Sequence, residues 1–177
     1  DAGATATDNV DVTVNVTTTG SVDSNTPGTY TLTYTATDAA GNTATAKRTV
    51  TVAERDPLTY LVEGNTVIVT DCNVSYSGAL IIPSSYQGKP LTKIGDNAFK
   101  DCSSLSSVTI PDSVTSIGER AFGFCRSLTV VTFLGDAPKV GNDVFLDATP
   151  TIYRKPEAKG WSETFAGRPV KLISEKP

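Results

Sequence analysis

Several positions in the second half of this chain recur every 23 residues, and no other feature restricts its folding as strongly. Ile94-Gly95, Ile117-Gly118 and Val140-Gly141 are 23 residues apart, as are Ala98-Phe99, Ala121-Phe122 and Val144-Phe145. Cys102, Cys125 and Ala148 keep the same step, and so do Leu105 and Leu128. Positions held in register over three copies are the mark of a solenoid, in which each copy buries its apolar face only against its neighbours.

The period also describes the coil. Leu105-x-x-Val108-x-Ile110 and then Leu128-x-x-Val131-x-Phe133 read as short strands with their Leu, Val and Ile directed inward, stacked about 4.8 Å apart in a parallel ladder. Pro83 and Pro111 stop these strands, because proline has no N–H to give to the ladder. In Ile-Gly-x-x-Ala-Phe the glycine admits a tight bend and the phenylalanine fills the coil centre. The first copy is irregular, since Ala79 to Ile82 lies 28 residues before the next strand and Tyr86-Gln87-Gly88-Lys89-Pro90 is an inserted loop. In the third copy, Gly135-Asp136-Ala137-Pro138 stands where Pro-x-x-Val is expected, as suits a terminal repeat. Trp161, in the helix-like stretch from Pro156 to Phe165, is the natural lid for the open end.

The first half follows a different pattern. Up to about Ala53 it is rich in Thr, Val, Ala, Asp and Gly. Val10, Val12, Val14 and Val16 alternate with polar residues, as do Tyr30, Leu32, Tyr34 and Ala36, and then Ala44, Ala46, Val50 and Val52. That period of two predicts three strands buried on one face. Asn25-Thr26-Pro27-Gly28 and Asp38-Ala39-Ala40-Gly41-Asn42 supply the turns, and an antiparallel sandwich is expected. A linker over 54–57 leads to Leu58–Val62 and Thr66–Thr70, which flank the hairpin signal Glu63-Gly64-Asn65.

The blocks Gly3-Ala4-Thr5-Ala6-Thr7-Asp8-Asn9, Pro27 to Tyr34 and Thr37 to Ala44 resemble the immunoglobulin-like repeats of bacterial surface proteins, including the HYR-like type. Relatives of that type carry one or two strands more before the first block, so the resemblance implies an immunoglobulin-like β-sandwich over 1–53 that is truncated at its start. The copy Val108 to Phe122 followed by Cys125-Arg126-Ser127-Leu128 resembles the BspA-type, or treponemal-type, leucine-rich repeat. It implies a leucine-rich-repeat β-solenoid over 58–177, with an N-terminal cap at 58–78, repeats at 79–150 and a C-terminal cap at 151–173. The chain is thus expected to be mainly β. The resemblance further implies a non-catalytic bacterial protein, secreted or on the cell surface, that adheres to a host or matrix protein, a cell-surface protein or a glycan. The competing expectation is a structural spacer or stalk in which neither domain binds anything.

Composition narrows the functional classes. Histidine is absent, which removes the commonest general base and metal ligand. There is no Gly-x-Ser-x-Gly elbow either. The net charge of -4 comes without a Lys/Arg cluster, so no nucleic-acid partner is expected. No run approaches the ~20 apolar residues of a membrane helix, and insertion of this stretch into a membrane is not expected. The first residue is not Met, and a piece of a longer protein is expected.

Candidate sites follow from these placements. With Val108, Ile110, Val131 and Phe133 inward, Ala79, Ile81, Ser107, Thr109, Val130 and Thr132 face outward as an uncharged binding surface. Asp8, Asn9, Asp38 and Asn42 are candidate calcium ligands at loop ends, although Asx side chains also cap turns. Cys102 and Cys125, one coil apart, could reach disulfide distance; the repeat family implies buried free thiols instead. The truncated sheet edge is a candidate for self-association.

Overall fold

The computed structural model describes residues 4–7, 14–53 and 55–176, in two compact units, Asp1–Asp56 and Pro57–Pro177. In the first, β1 (Asn15–Thr19), β2 (Gly28–Thr37) and β3 (Thr43–Val52) form an antiparallel sheet in that order. Val16 pairs with Ala36, Tyr30 with Val50 and Tyr34 with Ala46. Residues opposite one another share a face, so one face carries Tyr, Leu, Val and Ala while the other is mostly Thr. Leu32 and Tyr34 are buried on the apolar face. Among the described residues this is the one layer of the sandwich; Val10 and Val12 lie outside them. Gly20 has φ +94° and a Cβ there would run into the Thr31 carbonyl, so only glycine fits before β2.

The second unit opens with the hairpin of β4 (Leu58–Glu63) and β5 (Thr66–Cys72), turning at Gly64 with φ 57°. After β6 (Gly78–Ile81), the inserted segment forms a second hairpin between β7 (Ser85–Tyr86) and β8 (Lys89–Ile94). Gln87 and Gly88 both have positive φ, 51° and 75°, the requirement of a two-residue hairpin turn matched to strand twist. Tyr86 stacks on Tyr60 with ring centroids 4.2 Å apart, so the insertion pins the first hairpin. There follow β9 (Leu105–Ile110), β10 (Ser116–Ile117), β11 (Val130–Phe133), β12 (Lys139–Val140), β13 (Thr151–Arg154), β14 (Thr164–Phe165), β15 (Arg168–Leu172) and a 3-10 turn at Ile173–Glu175.

Two sheets flank the core. One has the order β12-β10-β8-β5-β4 and the other β14-β15-β13-β11-β9-β6. Pairing between coils is parallel, as the period predicts. Between the sheets Phe99, Phe122 and Phe145 stack with centroids 4.8 and 5.6 Å apart, fully buried as expected for the coil centre. Backbone bonds tie successive turns. Asn97, Phe99 and Asp101 donate to the carbonyls of Glu119, Ala121 and Gly123, and Arg120, Phe122 and Phe124 to those of Asn142, Val144 and Leu146.

One detail adds to the sequence reading and one departs from it. Gly118 and Gly141 also permit close packing of coils: a Cβ on Gly118 would collide with the Asp96 carboxylate, and one on Gly141 would lie 2.6 Å from the Glu119 nitrogen. The stretch from Pro156 to Phe165 is not helical. Its backbone bonds across coils instead, with the Lys159 N–H donating to Asp136 Oδ1 at 2.7 Å and the Ala137 N–H to the Lys159 carbonyl at 2.9 Å. Gly160 adds a left-handed residue with φ 77°. Trp161 packs at 4.9 Å against both Phe133 and Phe165 and donates Nε1–H to the Gly135 carbonyl, half-buried at the open end.

Candidate functional site

The strand register assembles the outward face from separate coils. Ala79 lies beside Ser107, Ser107 beside Val130 and Val130 beside Thr151. The second row runs Ile81, Thr109, Thr132, Tyr153 and Lys171. Neighbours along each row are one strand spacing apart, about 4.8 Å. Ala79 and Ile81 are exposed, whereas Ser107, Thr109 and Val130 are half-buried. Ile81, at 74% exposure, is the most exposed large apolar residue among those described. It stands on β6, the edge strand of its sheet.

Thr132 requires a correction, because it is buried, only 3% exposed. Tyr153, next to it in the row, is buried as well, and the Lys176 ammonium reaches back to donate to the Thr132 hydroxyl at 3.4 Å. The segment after β15 therefore closes this end of the face, leaving the open part at Ala79, Ile81, Ser107, Thr109 and Val130. Sequence reasoning missed Thr151, Tyr153 and Lys171, which β13 and β15 add to the two rows. The alternation in Thr151-Ile152-Tyr153 and Val170-Lys171-Leu172 was the available signal.

Of the candidate calcium ligands, Asp8 and Asn9 lie outside the described residues. The Asp38 carboxylate accepts the Asn42 N–H on Oδ1 and its side-chain amide on Oδ2, both at 2.7 Å. First the amide and then the backbone N–H of Asn42 hold the Asp38 carboxyl below the usual carboxylate range, because hydrogen bonds favour the charged form. The pair thus acts as a turn cap. No group of three or more metal-ligating side chains occurs among the described residues.

The three thiols are free and buried. Cys125 Sγ donates to the Phe99 carbonyl at 2.9 Å and Cys102 Sγ to the Cys72 carbonyl at 3.8 Å. Cys102 thus finds its sulfur partner at the end of β5. Its hydrogen bond, followed by burial, raises the Cys72 thiol well above the ordinary range. Burial, reinforced by Cys102, pushes Cys125 up to about 12. The hydrogen bond to Cys72 lowers Cys102 against the effect of burial, and it is the burial of all three sulfurs that makes them packing elements.

The bacterial surface protein Ig-like domain family matches residues 1–52, and the BspA type leucine rich repeat region matches residues 77–153. No curated protein matches the chain. Among solved structures, a leucine-rich repeat protein from Bacteroides capillosus aligns at 22% identity over 68% of this chain and 96% of its own, with a TM-score of 0.46. The leucine rich repeat protein of T. pallidum aligns at 19% identity, covering 67% of this chain and 64% of that one, with a TM-score of 0.46. A leucine rich cell surface protein from Faecalibacterium prausnitzii aligns at 22% identity over 68% of this chain and 42% of its own, again with a TM-score of 0.46. The two matched families are cell-surface families of bacteria. The chain joins a bacterial surface immunoglobulin-like domain to a BspA-type leucine-rich-repeat solenoid.

Proposed function

We propose that the chain is a non-catalytic adhesion module, displayed outside the bacterial cell, that contacts a host, matrix or cell-surface protein or a glycan through the open part of the strand face. The observation that carries this reading is Ile81, 74% exposed on an edge strand in a row where only the last residue, Lys171, is charged. A large aliphatic side chain held in solvent by a rigid sheet forfeits about 1.5–3 kcal/mol of burial, which contact with a partner recovers. Thr109 lies beside Ile81, and Ser107 and then Val130 follow in the adjoining row, so the face offers hydroxyls and a methyl pair without a charge to neutralise. One such face gives modest affinity, and repetition of the module over a cell multiplies it. The immunoglobulin-like sheet acts as the spacer.

Arrays of matrix proteins and glycans, probed with the whole chain on multivalent beads, test this reading. Binding that falls at least tenfold in Ile81→Asp, with the melting curve unchanged, is the expected result. No binding up to about 1 mM of monovalent chain, or binding indifferent to Ile81→Asp, would leave the spacer reading in its place.

A further inference from the structure

The C-terminal cap completes only one side of the solenoid. On the outward sheet, β13 and β15 continue the ladder past the third coil, whereas in the other sheet β12 is the last strand, with β10 its one partner among the described residues. Val140 records the difference. It occupies the inward column of Ile94 and Ile117, which are 0% and 2% exposed, yet it is itself 42% exposed.

The turn ladder stops at the same corner. In the first two coils the N–H groups of three alternate residues meet three carbonyls of the next coil. The corresponding donors of the third coil are Asp143, Phe145 and Asp147, and none of these N–H groups has a partner among the described residues. They border an open hollow of about 490 Å³, together with Val140, Leu146 and Arg168. Arg168 gives Nη2–H to the Phe145 carbonyl at 3.0 Å, but its Nε is buried without a partner. Main-chain donors left unpaired are a template for another chain.

We infer that this corner is a second binding site, and that its occupant is a polypeptide segment docked by its backbone as an added coil. Three donors at positions i, i+2 and i+4 call for acceptors at the same spacing, which a peptide backbone supplies and which the chain itself supplies in Asn142, Val144 and Leu146. The occupant also needs an apolar side chain to cover Val140, in the place that Val140 takes relative to Ile117. Backbone bonds would give the affinity and the Val140 slot the selectivity, as in strand addition at other sheet edges.

The probe is a ten-residue peptide of residues 139–148, the segment that makes this contact on the second coil. It carries Phe145→Ala, because the coil centre of the chain is already closed, with Phe145 only 2% exposed. In the free chain, amide exchange at Asp143, Phe145 and Asp147 is expected to run at least tenfold faster than at Arg120, Phe122 and Phe124. In amide-resolved NMR of the whole chain, the peptide is expected to shift and protect those three amides, and Val140→Glu is expected to abolish the effect with the fold intact. Slow exchange of the three amides in the free chain would overturn the proposal. So would a peptide that leaves them unmoved at about 1 mM, or one that perturbs only the row from Ile81 to Thr109, the face of the proposed adhesion. A scrambled peptide that acts equally well would also refute it.

Discussion

Arg168 donates to the Phe145 carbonyl at 3.0 Å, and Cys125 donates its thiol to the Phe99 carbonyl at 2.9 Å. Phe145 and Phe99 are equivalent positions of the third and first coils, and the two donors arrive 23 and 26 residues further along the chain. An arginine of β15 therefore takes over the hydrogen bond that a repeat cysteine makes inside the array. A buried carbonyl left without a donor costs about 1–3 kcal/mol. Arg168→Met keeps much of the stem and loses the bond, and it is expected to lower the unfolding free energy of the second unit by about 1–2 kcal/mol. Urea melts followed by Trp161 fluorescence measure it, and an unchanged midpoint contradicts the assignment.

The phenylalanine stack makes a graded prediction. Phe122 lies between two rings, at 4.8 and 5.6 Å, whereas Phe145 touches one ring of the stack. Truncation of a buried phenylalanine costs about 3–5 kcal/mol. Phe122→Ala is expected at the upper end of that range and Phe145→Ala below it, in the same urea experiment. Equal losses would show that ring neighbours do not set the cost.

Arg120 and Phe124 sit in the left-handed region, with φ 49° and 62°. The equivalent residues of the other coils are Asn97, Asp143, Asp101 and Asp147, all left-handed too, and Asx residues tolerate that conformation far better. Arg120 makes ion pairs at 3.6 and 3.8 Å with Glu119 and Asp143, with side chains nearly half exposed, and such pairs contribute little. Relief of backbone strain should win. Arg120→Asn is expected to stabilise the second unit by about 1 kcal/mol, and a lower melting temperature would show that the ion pairs matter more.

These left-handed corners mark where the sequence was legible and where it was not. Regularly spaced apolar residues exposed the coil, its inward columns and the hairpin at Gly64, because burial on a period leaves a pattern in residue type. Arg120 and Phe124 hide the corner, since their side chains do not betray their φ. Thr132 was read as exposed because alternation gives the face of a residue but not what lies over that face, and Lys176 is 44 residues away. Val140 matched Ile94 and Ile117 in type, so its exposure depended on the absence of a fourth strand beside it. The Pro156 to Phe165 stretch misled for a related reason, since bonds across coils to Asp136 and Ala137 override local preference.

The thiols should be silent until the fold opens. All three cysteines are buried and Cys125 is pushed up to about 12, so a reagent that needs an accessible thiolate finds none in the native chain. An aromatic disulfide reagent is expected to titrate none in the native chain and three in guanidinium, the full cysteine count. A native thiol that reacts within minutes would place that sulfur at the surface.

Asp38 predicts a pH response confined to its loop. Its folded pKa is depressed by Asn42, so the stabilisation is fully present above the unfolded value and is lost as pH falls through the folded pKa. The Asn42 amide signal is expected to titrate with a midpoint below that of a peptide of residues 36–44, and Asp38→Ala should remove the transition. A midpoint at or above the peptide value would break the link between the carboxylate and the turn.

The turn-to-turn bonds have a consequence for how such a surface protein sets its reach. Each coil bonds to the next through the same backbone positions, so one more 23-residue copy would be received on the terms already in place and would carry the cap outward by about 4.8 Å. Length in this architecture is a counted quantity: a gene that duplicates or deletes one copy changes the span of the module by a fixed increment, without redesigning either end.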